Sequence, residues 1–508
     1  MKASMTINRE LVAGAVDNRL FGSFVEHLGR CVYTGLYEPG HASADEAGLR
    51  TDVLALVREL NVPIVRYPGG NYVSGYRWED SVGPREKRPV RVDCAWNSRE
   101  SNAFGLNEFM DFCKKAGTQP MMTVNLGTRG IEAALDLLEY CNYPAGSALS
   151  DLRIAHGARE PHNIRVWCLG NEMDGVWQVG HKTAAEYGRL ACETARAMKM
   201  FDPNLELVVC GSSSPDLPFF PEWQTETLMH AYDAVDYVSL HQYFSNAAGD
   251  TPDFLACSLG MDRYIQNAVT ACDYVKAVKR SAKRLDISFD EWNVWFHSGS
   301  SGAATDEQDG SRPFAPALLE DQYTMEDALV VGCALITLLK HAGRVKIACL
   351  AQLVNVIAPI MTQRGGGVLR QTIFYPVLHA SLYGRGTALA VRTASDKYDS
   401  RNYTDVPYLE STAVFDEAGE SLTVFAVNRS MTEDLALTCR LGGFEGYAPQ
   451  QHLVLCCGDL KAINSFAAPD TVRPHEAALP TMDGGTLQTV LKPASWNVIR
   501  LKKVREDR

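Results

Sequence analysis

The chain has 508 residues, 46% hydrophobic and 22% charged, a composition that excludes wholesale disorder, collagen-like repeats and coiled-coil rods. Lys+Arg 49 against Asp+Glu 61 leaves a net charge of -12, which argues against a phosphate backbone or an anionic membrane as the main partner, so neither nucleic acid nor membrane is expected. The length admits two domains as readily as three, because one α/β barrel takes roughly 250 residues.

The first 22 residues, MKASMTINRELVAGAVDNRLFG, hold no apolar stretch followed by a small-residue cleavage site, and a cytoplasmic location is expected. Eight apolar runs bounded by turn residues then follow: 20–28, 62–70, 119–127, 163–172, 205–213, 236–243, 285–292 and 345–355. Between them, 43–61, 104–117 and 183–201 carry helical periodicity, and 327–343 reads as a buried helix. Eight continuous apolar strands alternating with helices predict a parallel sheet covered on both faces and closed as a (β/α)8 barrel, over 16–385. The segment 297–314, rich in Gly, Ser and Asp, is predicted to be a loop after strand seven on the active-site side. Beyond 385, shorter alternating runs with Gly, Asn and Asp turns predict an antiparallel β-sandwich over 386–508, to which 1–15 is expected to add a strand. The 14 cysteines lack metal-ligand spacing, and those within apolar runs, such as Cys168, Cys210 and Cys349, read as small core residues; no metal and no cofactor is predicted.

Each run is apolar early and polar or aromatic at its end: Glu26, Asn71, Asn125, Asn171 with Glu172, His241 with Tyr243, Glu291, and Gln352 with Asn355. In such barrels the active site is built at the strand C-terminal ends. Glu172 and Glu291 end strands four and seven, which face each other across the mouth. Cleavage of a glycosidic bond needs such a pair, one protonated to load the leaving oxygen and one ionised to attack the anomeric carbon.

The strings GSFVEHLGR, RYPGGNYVSGY, DCAWNSRESNAFGLNEFM, WCLGNEMDG, VSLHQYF and SFDEWNVW, in this order, resemble those of the family 51 glycoside hydrolases, chiefly α-L-arabinofuranosidases. The resemblance spans about 20–376, with a weaker match at the closing SWNVIRLK. It implies that Glu172 is the general acid/base and Glu291 the nucleophile of a retaining double displacement, and that Asn171 hydrogen-bonds the sugar 2-hydroxyl. It further implies that Glu26, Asn71, Tyr243 and Gln352 line the furanose pocket, with Tyr243 orienting the nucleophile, and that Trp96 closes over the sugar. Trp177 and Trp295 are candidates for the leaving-group side. His241 is expected to support Glu291 or the sugar, and Arg66 to brace the barrel mouth by ion pairing. Cys94 and Cys168 stand in slots read as apolar, and the acidic stretch 303–310 is where entry of polymeric chains would be altered.

The expected function is exo-acting release of terminal α-L-arabinofuranose from oligosaccharides derived from arabinoxylan or arabinan, by a homo-oligomer that the resemblance implies to be a hexamer. The alternatives are a related retaining glycosidase acting on a pyranoside, such as a β-xyloside or β-glucan, and a metal-dependent barrel hydrolase using His27, His241 and carboxylates. The second lacks an H-E-x-x-H or comparable spacing. A non-catalytic sugar-binding module has no need of two opposed glutamates.

Overall fold

A computed structural model describes residues 1–296 and 312–504. All eight apolar runs become strands of one closed parallel barrel: β1 (Gly22–Phe24), β2 (Ile64–Tyr67), β3 (Gln119–Val124), β4 (Val166–Leu169), β5 (Glu206–Cys210), β6 (Tyr237–Phe244), β7 (Asp286–Val294) and β8 (Val345–Leu350). The runs are continuous in apolar residues because both faces are covered: Ile64, Val208, Ile287 and Ile347 are all at most 1% exposed.

Strand β7 is irregular. Ser239 of β6 pairs with Ser288 and His241 with Glu291, so two steps on β6 face three on β7, and a matching shift lies against β8. An extra residue of this kind re-aims side chains at a barrel rim.

The helices are anchored by local chemistry. Residues Leu106–Ala116 stop where Gly117 takes a left-handed φ of 76°, and Ala184–Phe201 starts on a Thr183/Glu186 capping box. The helix expected at 43–61 is only Thr51–Glu59. Upstream, the Asp45 carboxylate accepts from the backbone N–H groups of Ala47 and Leu49, and the buried Arg50 pairs with Glu38 and Asp52, so polar turn bonds replace the first two helical turns. Cys94 is exposed in the turn between Arg91–Asp93 and Ser98–Glu100, where a two-stranded ribbon has no second layer to bury it, whereas Cys168 is buried as expected. The expected loop at 297–314, including the acidic stretch, lies outside the described residues except for 312–314.

Two sheets form the sandwich. The larger has seven strands in the order Val12–Val16, Gly386–Leu389, Leu409–Asp416, Ser421–Asn428, Ser495–Lys503, Tyr447–Leu455 and His475–Glu476. The smaller has five, Arg392–Ser395, Lys2–Asn8, Leu435–Gly442, Thr486–Leu491 and Thr481–Asp483. The chain's first residues thus supply a strand to each sheet. One pair departs from the expected antiparallel pattern: Lys2–Asn8 runs parallel to Leu435–Gly442, a pairing open to a strand that arrives from the far end of the sequence. Met5, Ile7, Val424, Leu437, Leu487 and Ile499 share the apolar core of the sandwich.

The helix Met325–Lys340 is buried on nearly every side. It packs against β7 and against sandwich strands Leu409–Asp416, Ser421–Asn428 and Ser495–Lys503. A Cβ on Gly332 would lie 2.7 Å from the Trp496 ring, so the Trp of the closing SWNVIRLK string seats on a glycine of a barrel helix. Arg429, fully buried, donates to Glu410 at 2.7 Å, to Ser258 Oγ at 2.8 Å and to the Leu255 carbonyl at 2.9 Å, tying the sandwich to barrel helices. Glu410→Ala strands that guanidinium in the interface and is expected to destabilise by about 3–5 kcal/mol; a thermal midpoint equal to wild type would contradict it.

Candidate active site

The site is assembled at the C-terminal ends of the strands. After β4 the chain passes through Gly170 and Asn171 to Glu172, which sits at a φ of 43°, a left-handed conformation that costs a non-glycine residue on the order of 1 kcal/mol. Two partners fix the carboxylate so presented. Trp177 Nε1 donates to its Oε2 at 2.5 Å, and His241 Nδ1 lies 2.9 Å from its Oε1. Across the mouth, Glu291 accepts from the Tyr243 hydroxyl at 2.7 Å and from Arg66 Nη1 at 3.0 Å. Oxygens of the two glutamates lie within 4.8 Å of each other.

The β7 bulge explains how consecutive acidic residues both point inward. Asp290, wholly buried, accepts from Ser239 Oγ at 2.5 Å and lies 3.1 Å from His241 Nε2, while Glu291 reaches the cavity. Burial alone would push His241 down, but the charges of Glu291, Asp290 and Glu172 outweigh it and hold the imidazole up at about 10. Burial, then the Glu291 charge, push the Glu172 carboxyl upward from its ordinary value, with His241 opposing. For Asp290 burial acts upward too, but the Arg66 charge and the His241 contact prevail and hold it low.

The cavity between the glutamates is about 520 Å³ and is walled by both of them together with Glu26, Asn71, Trp96, Trp177, Tyr243, Trp295 and Gln352. Glu26 is the hub of the opposite wall: it accepts from the Tyr72 backbone N–H at 2.9 Å, from Trp96 Nε1 at 2.9 Å and from Gln352 Nε2 at 3.0 Å. Burial pushes its carboxyl up to about 7. Trp96 is brought there by the turn in which Asp93 accepts from the backbone N–H groups of Ala95 and Trp96. The glycines of the YPGG string are steric requirements. A Cβ on Gly69 would lie 2.5 Å from Glu26 Cγ, and one on Gly70 would lie 3.3 Å from both Asn171 Nδ2 and Glu291 Oε2. Trp295 stands edge-on to Tyr243, ring centroids 5.1 Å apart.

Asn171, expected at the sugar 2-hydroxyl, and His241, expected to support Glu291 or the sugar, are both nearly buried. Asn171 is 1% exposed, accepting from Arg66 Nη2 at 2.5 Å and approaching Gln178 at 3.4 Å. His241 is 2% exposed with both ring nitrogens facing carboxylates. Strand-end position made them candidates; Arg66 takes the Asn171 amide oxygen, and His241 Nδ1 lies 2.9 Å from Glu172 and 3.6 Å from Glu291. Asn125 and Asn355 are structural. The first caps a turn through the Gly127 and Thr128 N–H groups, and the second bonds Thr362 and the Arg30 carbonyl. Asp290, Ser213, Ser214 and Asp216 are additions that the strand-end argument did not single out. The acidic residue inside the apolar ISFDEW run was the available signal for Asp290.

Glu172, His241 and Glu291 together offer three ligand-type atoms, but they do not suit a metal. Arg66 already occupies Glu291 Oε2, Trp177 donates to Glu172 Oε2, and His241 Nε2 faces Asp290. His27 does not join them; its nitrogens lie 2.8 Å from Glu100 and from the Tyr67 hydroxyl.

A closed parallel barrel that opposes two buried glutamates over a polar and aromatic cavity defines a barrel glycoside hydrolase. Residues 56–254 match the family model of the α-L-arabinofuranosidase 1 domain, and residues 290–495 that of the α-L-arabinofuranosidase C-terminal domain. An "intracellular exo-α-(1→5)-L-arabinofuranosidase" of Acetivibrio thermocellus is 56% identical over 99% of this chain and 100% of its own. An "exo-α-(1→6)-L-arabinofuranosidase" of Bifidobacterium longum is 48% identical over 99% and 97%. The solved structure of a family 51 α-L-arabinofuranosidase from Bifidobacterium longum superposes with a TM-score of 0.93 at 44% identity, over 98% of this chain and 99% of that one. The chain belongs to the α-L-arabinofuranosidases of glycoside hydrolase family 51.

Proposed function

We propose that the protein is an exo-acting, retaining α-L-arabinofuranosidase that releases terminal arabinofuranose from oligosaccharides derived from arabinan and arabinoxylan. The observation that carries the mechanism is the approach of Glu172 and Glu291 oxygens to within 4.8 Å. Facing oxygens at that range favour the retaining spacing of about 5–5.5 Å between carboxyls over the about 6.5–9.5 Å of an inverting pair, which leaves room for a water.

In the first step a Glu291 oxygen bonds to the anomeric carbon, the bond to the leaving oxygen breaks, and the Glu172 proton passes to that oxygen. Glycosylation removes the Glu291 charge, which is one of the two causes that keep Glu172 protonated. Glu172 can then take a proton from water as the water oxygen bonds to the anomeric carbon and Glu291 departs. Tyr243 and Arg66 hold Glu291 for its attack, and Trp177 and His241 hold Glu172. Glu26, Asn71, Trp96 and Gln352 bind the furanose hydroxyls and ring, and Asn171 acts through Arg66.

The names of the relatives support the α-(1→5) linkage as the preferred one and an intracellular setting, in which short oligosaccharides are the available substrates. We also propose a homo-oligomer, the hexamer implied by the family resemblance; light scattering that returns the single-chain mass of 55.9 kDa would refute it. The test of the reading is an NMR time course with an aryl α-L-arabinofuranoside. Prompt release of the α-anomer of arabinose before mutarotation is expected. Prompt β-anomer would overturn retention, and no release, with an aryl β-xyloside cleaved instead, would overturn the substrate.

A further inference from the structure

Beside the catalytic cavity lies a second, larger one of about 660 Å³, within the roughly 300–1,000 Å³ range of small-molecule sites. The two share Asp216 and Tyr243 as walls. The second lies between the segments that follow β5 and β6 and is lined mostly by polar groups, among them Gln242, Asn246, Arg263 and Asn267. Gln242 Oε1 is buried there without a hydrogen-bond partner among the described residues.

Its remaining wall comes from the other domain. Asn402 and Tyr403, in the sandwich segment 399–405, close it, and this segment is fastened to the barrel with unusual care for an exposed loop. Asp253 accepts from Ser400 Oγ at 2.8 Å, from the Asn402 backbone N–H at 2.7 Å and from Asn402 Nδ2 at 2.8 Å, while the Tyr398 hydroxyl donates to the Pro252 carbonyl at 2.9 Å. The Arg263 guanidinium sits over the Tyr403 ring at 5.5 Å, and a Cβ on Gly260 would come within 2.9 Å of the Tyr403 hydroxyl.

The direction in which a substrate leaves the first cavity connects the two. An acid must face the leaving oxygen, so the leaving group departs on the Glu172 side. The turn carrying Glu172 is tied to the segment after β5: Asp174 accepts from the Ser213 backbone N–H at 2.9 Å and from Ser212 Oγ at 3.3 Å. Ser213, Ser214 and Asp216 of that segment wall the catalytic cavity, and Asp216 passes directly into the second.

We propose that the second cavity binds the reducing-end portion of an arabino-oligosaccharide, two or more units beyond the cleaved bond, with the sandwich domain supplying Tyr403 and Asn402 as one wall of this distal subsite. Tyr403 offers an amphipathic ring and hydroxyl, and the amides of Gln242, Asn267 and Asn402 offer both donors and acceptors, the chemistry that recognises a neutral polyol. A neutral ligand also fits the mixed signs of Arg263, Asp216 and Asp253 on the same surface.

The proposal rests on the glycosidase reading above, and the experiment separates the two. Steady-state kinetics are measured on an aryl α-L-arabinofuranoside, whose leaving group ends in the first cavity, and on α-(1→5)-arabinobiose through arabinopentaose. In the wild type, kcat/KM is expected to climb with chain length past the disaccharide. Tyr403→Ala and Asn267→Ala are each expected to flatten that climb by raising KM for the tetraose about three- to tenfold, the loss of one or two hydrogen bonds, with kcat held. Asn267 is exposed on the helix Ser258–Lys279, so its removal spares the fold even if Tyr403→Ala loosens the loop. Equal kcat/KM at all lengths in the wild type, or an unchanged climb in Asn267→Ala and Tyr403→Ala, overturns the distal subsite. Failure to cleave the aryl arabinofuranoside overturns the glycosidase reading and the subsite with it.

Discussion

Glu291→Ala is expected to lose activity on every arabinofuranoside, by on the order of 10⁴-fold or more, because no other group can form the bond to the anomeric carbon. The loss is expected to be independent of the leaving group, because Glu291, held by Tyr243 and Arg66, acts on the anomeric carbon and not on the leaving oxygen. Azide added to the variant with an activated aryl substrate is expected to enter the vacated side and give the glycosyl azide of inverted configuration. NMR of the product checks this, and near-wild-type turnover by Glu291→Ala would remove Glu291 from the chemistry.

Glu172→Ala should behave differently. Aryl substrates with good leaving groups need little proton assistance, so their first step is spared and the glycosyl-enzyme accumulates, whereas unactivated oligosaccharides slow by about 10²–10⁴-fold. The pH profile supplies the sign. Glu172 works as an acid while it holds its proton, and burial and Glu291 move that proton's loss to higher pH than for a free carboxyl. Wild-type kcat/KM on an unactivated substrate therefore falls as pH rises through this raised value, and the variant lacks that alkaline limb. A limb of unchanged position in Glu172→Ala would assign the titration to another group.

Much of this arrangement was legible in the sequence because barrels put chemistry at predictable places. Continuous apolar runs give strands buried on both faces, and their polar ends give the mouth, Asn125 and Asn355 included; the family resemblance then singled out Glu26, Glu172, Tyr243, Glu291 and Gln352, which wall the cavity. What escaped depends on register and on contacts between distant strands. The extra residue in β7 turns Asp290 inward beneath His241, and no local pattern distinguishes a bulged FDEW from a regular one. Likewise no local pattern shows that Arg66 reaches across to Asn171 or that Asp290 lies beside His241. The late start of the helix expected at 43–61 reflects side chains such as Arg50, whose partners include Glu38 and the carbonyls of Gln363 and Gly366.

The parallel pairing of Lys2–Asn8 with Leu435–Gly442 bears on how the molecule is made. The amino group of Met1 donates to the Asp434 carbonyl across 433 positions of sequence. At a synthesis rate of about 5–20 residues per second, the strand leaves the ribosome tens of seconds before its partner exists. Throughout that interval Ala3, Met5 and Ile7, all buried in the finished sandwich, are an unpaired apolar edge of the kind that recruits other chains. The barrel can close during translation, since its strands follow one another along the chain, but the sandwich waits for Leu435–Gly442 and the strands after it. Nascent chains are thus expected to need shielding at the Lys2–Asn8 strand, and aggregation during overexpression would begin there rather than at the catalytic barrel.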